Sequence, residues 1–222
     1  MGISKTGLYG NDYIGAFSIT NDSVTLVGGS PGGSGETVIR ENLKTRIVET
    51  LINGSDLLGI YSVLNSRALL LPPMTYKTEL DRLKAELPEL EVSIFETDLN
   101  ALRNNILAND KVAIVNPRHS ASEVKALEDL LGVEIIKMQI GGFETVGANN
   151  ILTNRGLVMN NRVSEEEESM LKELFKNVSQ STANTGSVSI GLCTIANSNG
   201  IVAGNATTGY ELSNMAEGLD LG

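Results

Sequence analysis

The chain has 222 residues and a net charge of −10, from 17 basic and 27 acidic side chains. Hydrophobic residues make up 41% and aromatic ones only 4%, with no Trp, so a sizeable core must be aliphatic. The acidic balance disfavours a protein that grips bare nucleic acid, DNA included, through its overall field. One Cys and one His exclude a disulfide framework and a zinc site of usual composition. No stretch approaches 18 continuous apolar residues, and Leu57–Leu71 is broken by Asn, Ser and Arg. Neither a membrane-spanning helix nor a signal peptide is predicted, and the expected compartment is the cytoplasm.

The chain repeats itself. Asn21, Asn65, Asn109, Asn154 and Asn197 stand 44, 44, 45 and 43 residues apart, each in a turn between apolar stretches. Two residues earlier lie Ile19, Val63, Leu107, Leu152 and Ile195; five residues later lie Leu26, Leu70, Ile114, Met159 and Val202. All ten are apolar. The asparagines read as hairpin-turn residues rather than ligands.

In each unit a strand of about six residues is predicted to enter the Asn turn and a second strand to leave it. Gly15, Gly59, Gly147 and Gly191 would open the first strand in four units, where a missing side chain permits tight packing about an axis. Unit one continues with a flexible loop, Gly28–Gly35, and a short, poorly capped helix around Glu36–Leu43. Unit two gives the strand Ala68–Leu71, a weak capping pair Thr78 and Asp81, and a strand over Glu91–Phe95. Unit three gives Val112–Val115, a capping box of Ser120 and Glu123, and a strand within Val133–Ile140. Boxes also stand at Ser164 with Glu167 and at Thr208 with Glu211, where hydroxyl and carboxylate satisfy the orphan N–H groups of a helix start. A weaker strand is predicted over Asn177–Ser181.

The flanks outside Asn21 and Asn197 total 46 residues, nearly one repeat. The N-terminal segment is therefore expected to supply the strand that unit five lacks, closing a ring and removing open sheet edges. The expectation is an α/β ring of five ββαβ units in one domain. The units run approximately 11–52, 53–97, 98–141, 142–184 and 185–222, with 1–10 closing the ring.

Little chemistry is visible. Cys193 lies in an apolar segment and reads as a small buried hydrophobe. His119 precedes the Ser120 cap and reads as a solvent-facing loop residue. The Gly28–Gly35 loop lacks the Gly-Lys-Ser/Thr end of a phosphate loop. Glu165–Glu168 reads as a solvated helix start. Met1-Gly2 with Thr6 matches a myristoylation signal only formally. No catalytic residue, metal site or cofactor is predicted, and the balance points to binding.

Several motifs together carry a resemblance that covers the whole chain. They are Ile14-Gly15-Ala16-Phe17; Leu58-Gly59 with Asn65 and Leu69-Leu70-Leu71-Pro72; and Leu99-Asn100-Ala101-Leu102-Arg103-Asn104 with Asn109-Asp110. They continue with Thr145-Val146-Gly147-Ala148-Asn149 and Thr153-Asn154; Thr182-Ala183-Asn184-Thr185-Gly186; and Ile195-Ala196-Asn197-Ser198-Asn199-Gly200 with Thr207-Thr208-Gly209. In these the chain resembles the archaeal translation initiation factor 6 family of ribosome anti-association factors. The resemblance implies the pentein fold, five α/β units about a pseudo-fivefold axis. It also implies a monomeric, non-enzymatic factor on the intersubunit face of the large ribosomal subunit. Its partners there would be ribosomal proteins near the sarcin–ricin loop, and a role in large-subunit biogenesis is possible within that reading.

Asn104 aligns with a family asparagine on the subunit-facing surface. Asn105, Asn149, Asn150, Gly59, Ile60 and Gly147 complete the expected ribosome-binding set. The chain departs from the family at Arg103, where Gly is common, at Ile60, where eukaryotic members often have Arg, and at Asn116 and Asn160, where His-Pro is frequent. The alternative is a guanidine-modifying hydrolase of the same fold using Cys193 as nucleophile; an RNA-binding module is disfavoured by the charge and the scarcity of aromatics.

Overall fold

The structure, a computed structural model, describes residues 2–30 and 32–222. Met1, with its end of the acylation motif, and Pro31, inside the predicted Gly28–Gly35 loop, lie outside the described residues.

After β1 (Gly2–Thr6) one pattern recurs five times. Unit one runs α1 (Ile14–Phe17), β2 (Ser18–Thr20), β3 (Val24–Gly28), α2 (Ser34–Leu43) and β4 (Arg46–Thr50). Unit two runs α3 (Leu58–Tyr61), β5 (Val63–Leu64), β6 (Ala68–Leu71), α4 (Lys77–Glu86) and β7 (Glu91–Ile94). Unit three runs α5 (Leu102–Asn105), β8 (Ile106–Ala108), β9 (Val112–Val115), α6 (Ala121–Leu131) and β10 (Glu134–Lys137). Unit four runs α7 (Val146–Asn149), β11 (Ile151–Leu152), β12 (Leu157–Asn160), α8 (Glu165–Leu174) and β13 (Val178–Ser181). Unit five runs α9 (Ile190–Cys193), β14 (Thr194–Asn197), β15 (Gly200–Gly204) and α10 (Gly209–Gly218).

Each unit has a three-stranded sheet. Its first two strands are antiparallel and its third is parallel to the second, as in β5, β6 and β7. In unit five the third strand is β1, which pairs with β15 from Gly2 opposite Gly200 to Thr6 opposite Gly204. The first strands β2, β5, β8, β11 and β14 touch in a cycle around the axis, and so do the short helices α1, α3, α5, α7 and α9. This is the pentein ring.

Two features differ from the sequence reading. The predicted six-residue first strand is a single helical turn followed by a strand of two to four residues. The glycines at 15, 59, 147 and 191 therefore lie in helical turns rather than opening strands, and Cys193 ends α9. Four residues show no usable periodicity, so a buried helical turn and a buried strand look alike in sequence. The repeat register also shifts in unit four. There the turn residue is Thr153, whose Oγ1 accepts from the Arg155 N–H (3.1 Å) as Asn109 Oδ1 accepts from the Lys111 N–H (2.8 Å). With Thr153 in place of Asn154, every step is 44 residues.

That register builds a relay. The Asn21 side-chain amide donates to the Asn65 carbonyl (2.9 Å), Asn65 to Asn109 (3.4 Å) and Asn109 to Thr153 (2.9 Å). Asn197 donates to Asn21 (2.9 Å), joining the fifth unit to the first. Each asparagine also holds its own turn through Oδ1. Thr153 keeps the turn but has no amide to pass on.

The core lies between units rather than within them. Five buried apolar clusters each draw side chains from two neighbouring units. Alternation along β6 shows how: Leu69 and Leu71 enter one cluster, Ala68 and Leu70 the next. A strand buried on both faces reads as a continuous apolar run.

Asn65→Ala should destabilise the protein by roughly 1–3 kcal/mol, because buried carbonyls and turn N–H groups lose their partner. Asn65→Thr should cost less, since Thr153 shows that a hydroxyl holds the turn. Urea unfolding of the two variants measures the difference.

Candidate functional site

The ring has two unlike faces. Asparagine turns form one, and the five short helices form the other. On the helical face the chain enters four of the five units through a tight turn, bridged at Leu8–Asn11, Ile52–Ser55, Ile140–Phe143 and Ala183–Ser187. Asn53-Gly54 and Gly141-Gly142 have positive φ at both central positions, the mirror-type hairpin turn. Tyr9 takes the same left-handed conformation, φ 55°, uncommon for an aromatic residue, and its hydroxyl donates to the Gly28 carbonyl.

Glutamates spaced by 44 residues tie these turns to the long helices. Glu79 accepts from Asn53 N (2.7 Å), Gly54 N (2.9 Å) and Tyr76 N (3.1 Å). The α4 cap is thus Tyr76 with Glu79, in place of the predicted Thr78 and Asp81. Glu123, Glu167 and Glu211 cap α6, α8 and α10 from Ser120, Ser164 and Thr208, as predicted. Glu167 also accepts from Gly141 N (3.1 Å), and Glu211 from Gly186 N (2.9 Å) and Thr182 Oγ1 (2.7 Å). Unit one has Gly35 at this position and α2 has no side-chain cap.

The same register places Gly15, Gly59, Arg103, Gly147 and Gly191 on the innermost helical turns. A Cβ on Gly59 would overlap the Gly15 carbonyl, and one on Gly147 the Arg103 carbonyl. Neighbouring backbones touch there, so these two glycines are demanded by the ring itself. Arg103 is the exception: it sends its guanidinium to the Gly191 carbonyl (2.8 Å) and, at 3.5 Å, to that of Gly15.

The expected asparagines fall into two kinds. Asn150 is fully buried; it donates to the Val146 carbonyl (2.7 Å) and accepts from Asn160 N (3.0 Å). Asn105, 7% exposed, donates to Ala101 O (2.9 Å) and accepts from Asn116 (2.8 Å). Asn149, 4% exposed, accepts from Thr145 Oγ1 (2.8 Å) and donates to Val188 O (3.3 Å). Asn104 differs: it is half-buried, and its side-chain oxygen has no partner among the described residues. Ile60 is half-buried against the cluster that holds Ile14 and Phe17.

The sites of possible nucleophilic chemistry are separate. Cys193 is fully buried with Ile190 and Met215 at the interface of units four and five, and burial pushes its thiol up to about 11 despite hydrogen bonds from Ser187 and Asn184. His119 is not solvent-facing as expected. It is 1% exposed, its ring is 5.9 Å from that of Phe95, and Nδ1 lies 3.6 Å from Glu123. The Pro117 turn folds the imidazole inward over the start of α6. Burial lowers its pKa below the ordinary value, although Glu123 pulls the other way. Among the described residues no group of three His, Cys, Asp or Glu side chains could hold a metal, and no helix is long and apolar enough to cross a membrane.

Arg103 is the site residue that sequence reading undervalued. Its signal was available, since it interrupts a glycine column spaced by 44, but nothing in the sequence showed that its side chain would reach the carbonyls of Gly191 and Gly15.

A closed ring of five α/β units, with its polar candidates gathered on one helical face, places the molecule in the pentein class. The eIF-6 family profile matches residues 3–218, and the chain belongs to that family. Relatives named translation initiation factor 6 include those of Pyrococcus abyssi, 38% identical with both chains covered in full, and Thermococcus onnurineus, 36% identical over 99% of this chain and 98% of its own. The Methanocaldococcus jannaschii protein of the same name is 39% identical over 94% and 93%. A solved DDAH from Pseudomonas aeruginosa with citrulline is similar at TM-score 0.45 and 11% identity, over 76% of this chain and 68% of that one.

Acid should loosen the structure in two stages. The lowered pKa of His119 means that the unfolded chain takes up its proton first, so stability falls as pH drops below about 6.5. Burial raises Glu123 and Glu211, but hydrogen bonds outweigh it and bring each to about 2. Their contribution is present above 4.5 and is lost as pH falls towards 2. Denaturant unfolding against pH should show both limbs; His119→Phe should flatten the upper one and Glu211→Gln the lower.

Proposed function

We propose that the chain is a translation factor that docks by its helical face on the intersubunit side of the large ribosomal subunit and blocks premature joining of the small one. Family membership supports the translation role. The observation that carries the choice of face is the Asn104 amide. Its oxygen is buried without a partner, whereas the amides of Asn105, Asn149 and Asn150 are held by bonds within the chain. An amide with no internal bond can rotate and present its oxygen or its N–H to a docking surface. In this reading Asn104 and Ile60 make contact. Asn105, Asn149 and Asn150, with Gly59 and Gly147, hold the rim in shape.

No covalent bond is made or broken. The factor occupies space that the small subunit needs, so exclusion is competitive. Factor at a hundred times its Kd opposes joining by about 2.7 kcal/mol. A net charge of −10 suits basic ribosomal proteins near the sarcin–ricin loop better than RNA phosphate. Binding should then depend less steeply on salt than contact with an RNA backbone would.

Asn104→Ser should weaken cosedimentation with purified large subunits by roughly two- to tenfold, the worth of about one hydrogen bond, without lowering the melting temperature. Unchanged sedimentation would remove Asn104 from the interface. Wild-type protein that migrates with joined ribosomes would remove the function.

A further inference from the structure

The axis of the ring is a narrow channel whose wall side chains are mostly apolar. Ile19, Val63, Leu107, Ile151 and Ile195 form one tier of its wall, and the next residue of each strand forms a second. Arg103 lines the same cavity, which has a volume of about 40 Å³. That is room for about three or four water-sized occupants, each needing about 10–15 Å³.

The two ends of the channel differ in charge. At the turn face it opens into a second cavity of about 30 Å³ lined by Asp22 and Asp110. The Asn154 amide bridges those two carboxylates at 3.0 and 2.6 Å. At the other end stands the guanidinium of Arg103. A single nitrogen, Nη1, accounts for its hydrogen bonds to Gly191 and Gly15, leaving the remaining N–H donors of the fork without a protein acceptor among the described residues. Among the described residues no carboxylate pairs with it there. Burial alone lowers its pKa to about 10, with no charged neighbour to offset the shift. Arginine keeps its proton throughout the physiological range, so this half-buried group remains a cation whose free donors open on the channel.

We propose that Arg103 is an axial anion site: its free N–H donors hold a small, weakly hydrated monovalent anion of the halide class within the channel. The size of the cavity favours a monatomic ion. The weakly hydrated guanidinium favours an anion that sheds water readily, so bromide should bind better than chloride, and fluoride hardly at all. Asp22 and Asp110 repel an anion at the far mouth, which leaves the Arg103 end as both entrance and seat. The inference is independent of the ribosome reading. It concerns the ring alone and holds whatever docks on the helical face.

Two measurements on the full chain test it. Crystals soaked in bromide, with data at the bromine absorption edge, should show an anomalous peak on the axis beside the Arg103 guanidinium. In solution, chloride NMR lines should show excess broadening that bromide competes away and fluoride does not. Arg103→Gly should return the linewidth to the buffer baseline; glycine is the residue of the other four units, so the ring should still close. Arg103→Gln, uncharged but of similar reach, is the second variant should the glycine form fail to fold. Ordered water alone at the guanidinium, or broadening that survives loss of the charge, would overturn the proposal.

Discussion

One side-chain amide, repeated at intervals of 44 residues, crosses four of the five boundaries between units; Thr153 stands in its place in unit four. The Asn oxygen holds its own turn while the Asn nitrogen reaches the carbonyl of the neighbouring unit, so local turn geometry and ring geometry are set by one group. Each bond is worth only about 0.5–1.5 kcal/mol net. Its importance lies in fixing the angular step between units. The apolar clusters that supply most of the stability each straddle a boundary between units. Without the correct step those surfaces would not meet.

The axis inherits the asymmetry of the units. At one end the turns bring Asp22 and Asp110 together around Asn154. At the other the helical turns bring backbone against backbone and allow only glycine in four units. The fifth position holds Arg103, so the ring has a cation in the middle of its helical face and carboxylates at the opposite mouth. The four glutamates at 79, 123, 167 and 211 then brace that face from outside. Helix caps elsewhere are local devices. Here the same carboxylates fasten the turns of the candidate docking rim, linking helix stability to the shape of the binding surface.

Much of this was legible in the sequence, for identifiable reasons. The central strands Ala68–Leu71 and Val112–Val115 are buried on both faces, so apolar runs marked their bounds. Three capping boxes were visible because hydroxyl and carboxylate stand at a fixed offset. The short helices were not, because one turn leaves no period. Unit four was read one residue late because Thr153 performs the work of Asn with a hydroxyl. The inward turn of His119 depends on packing against Phe95, twenty-four residues away in sequence and in another unit, which no local pattern encodes. Of the rim residues, their gathering on one face followed from the repeat. Which amides were already bonded did not, because the meeting of Asn105 with Asn116, just past β9, and of Asn150 with Asn160, at the end of β12, is supplied only by the fold.

The central claim is that the helical face docks while the turn face stays free. An electron cryomicroscopy structure of the full chain on archaeal large subunits tests it most directly. The account predicts α1, α3, α5, α7 and α9 against the subunit, Asn104 in contact with a ribosomal protein, and the asparagine turns open to solvent. A complex in which the turn face meets the subunit and Asn104 faces solvent would contradict it.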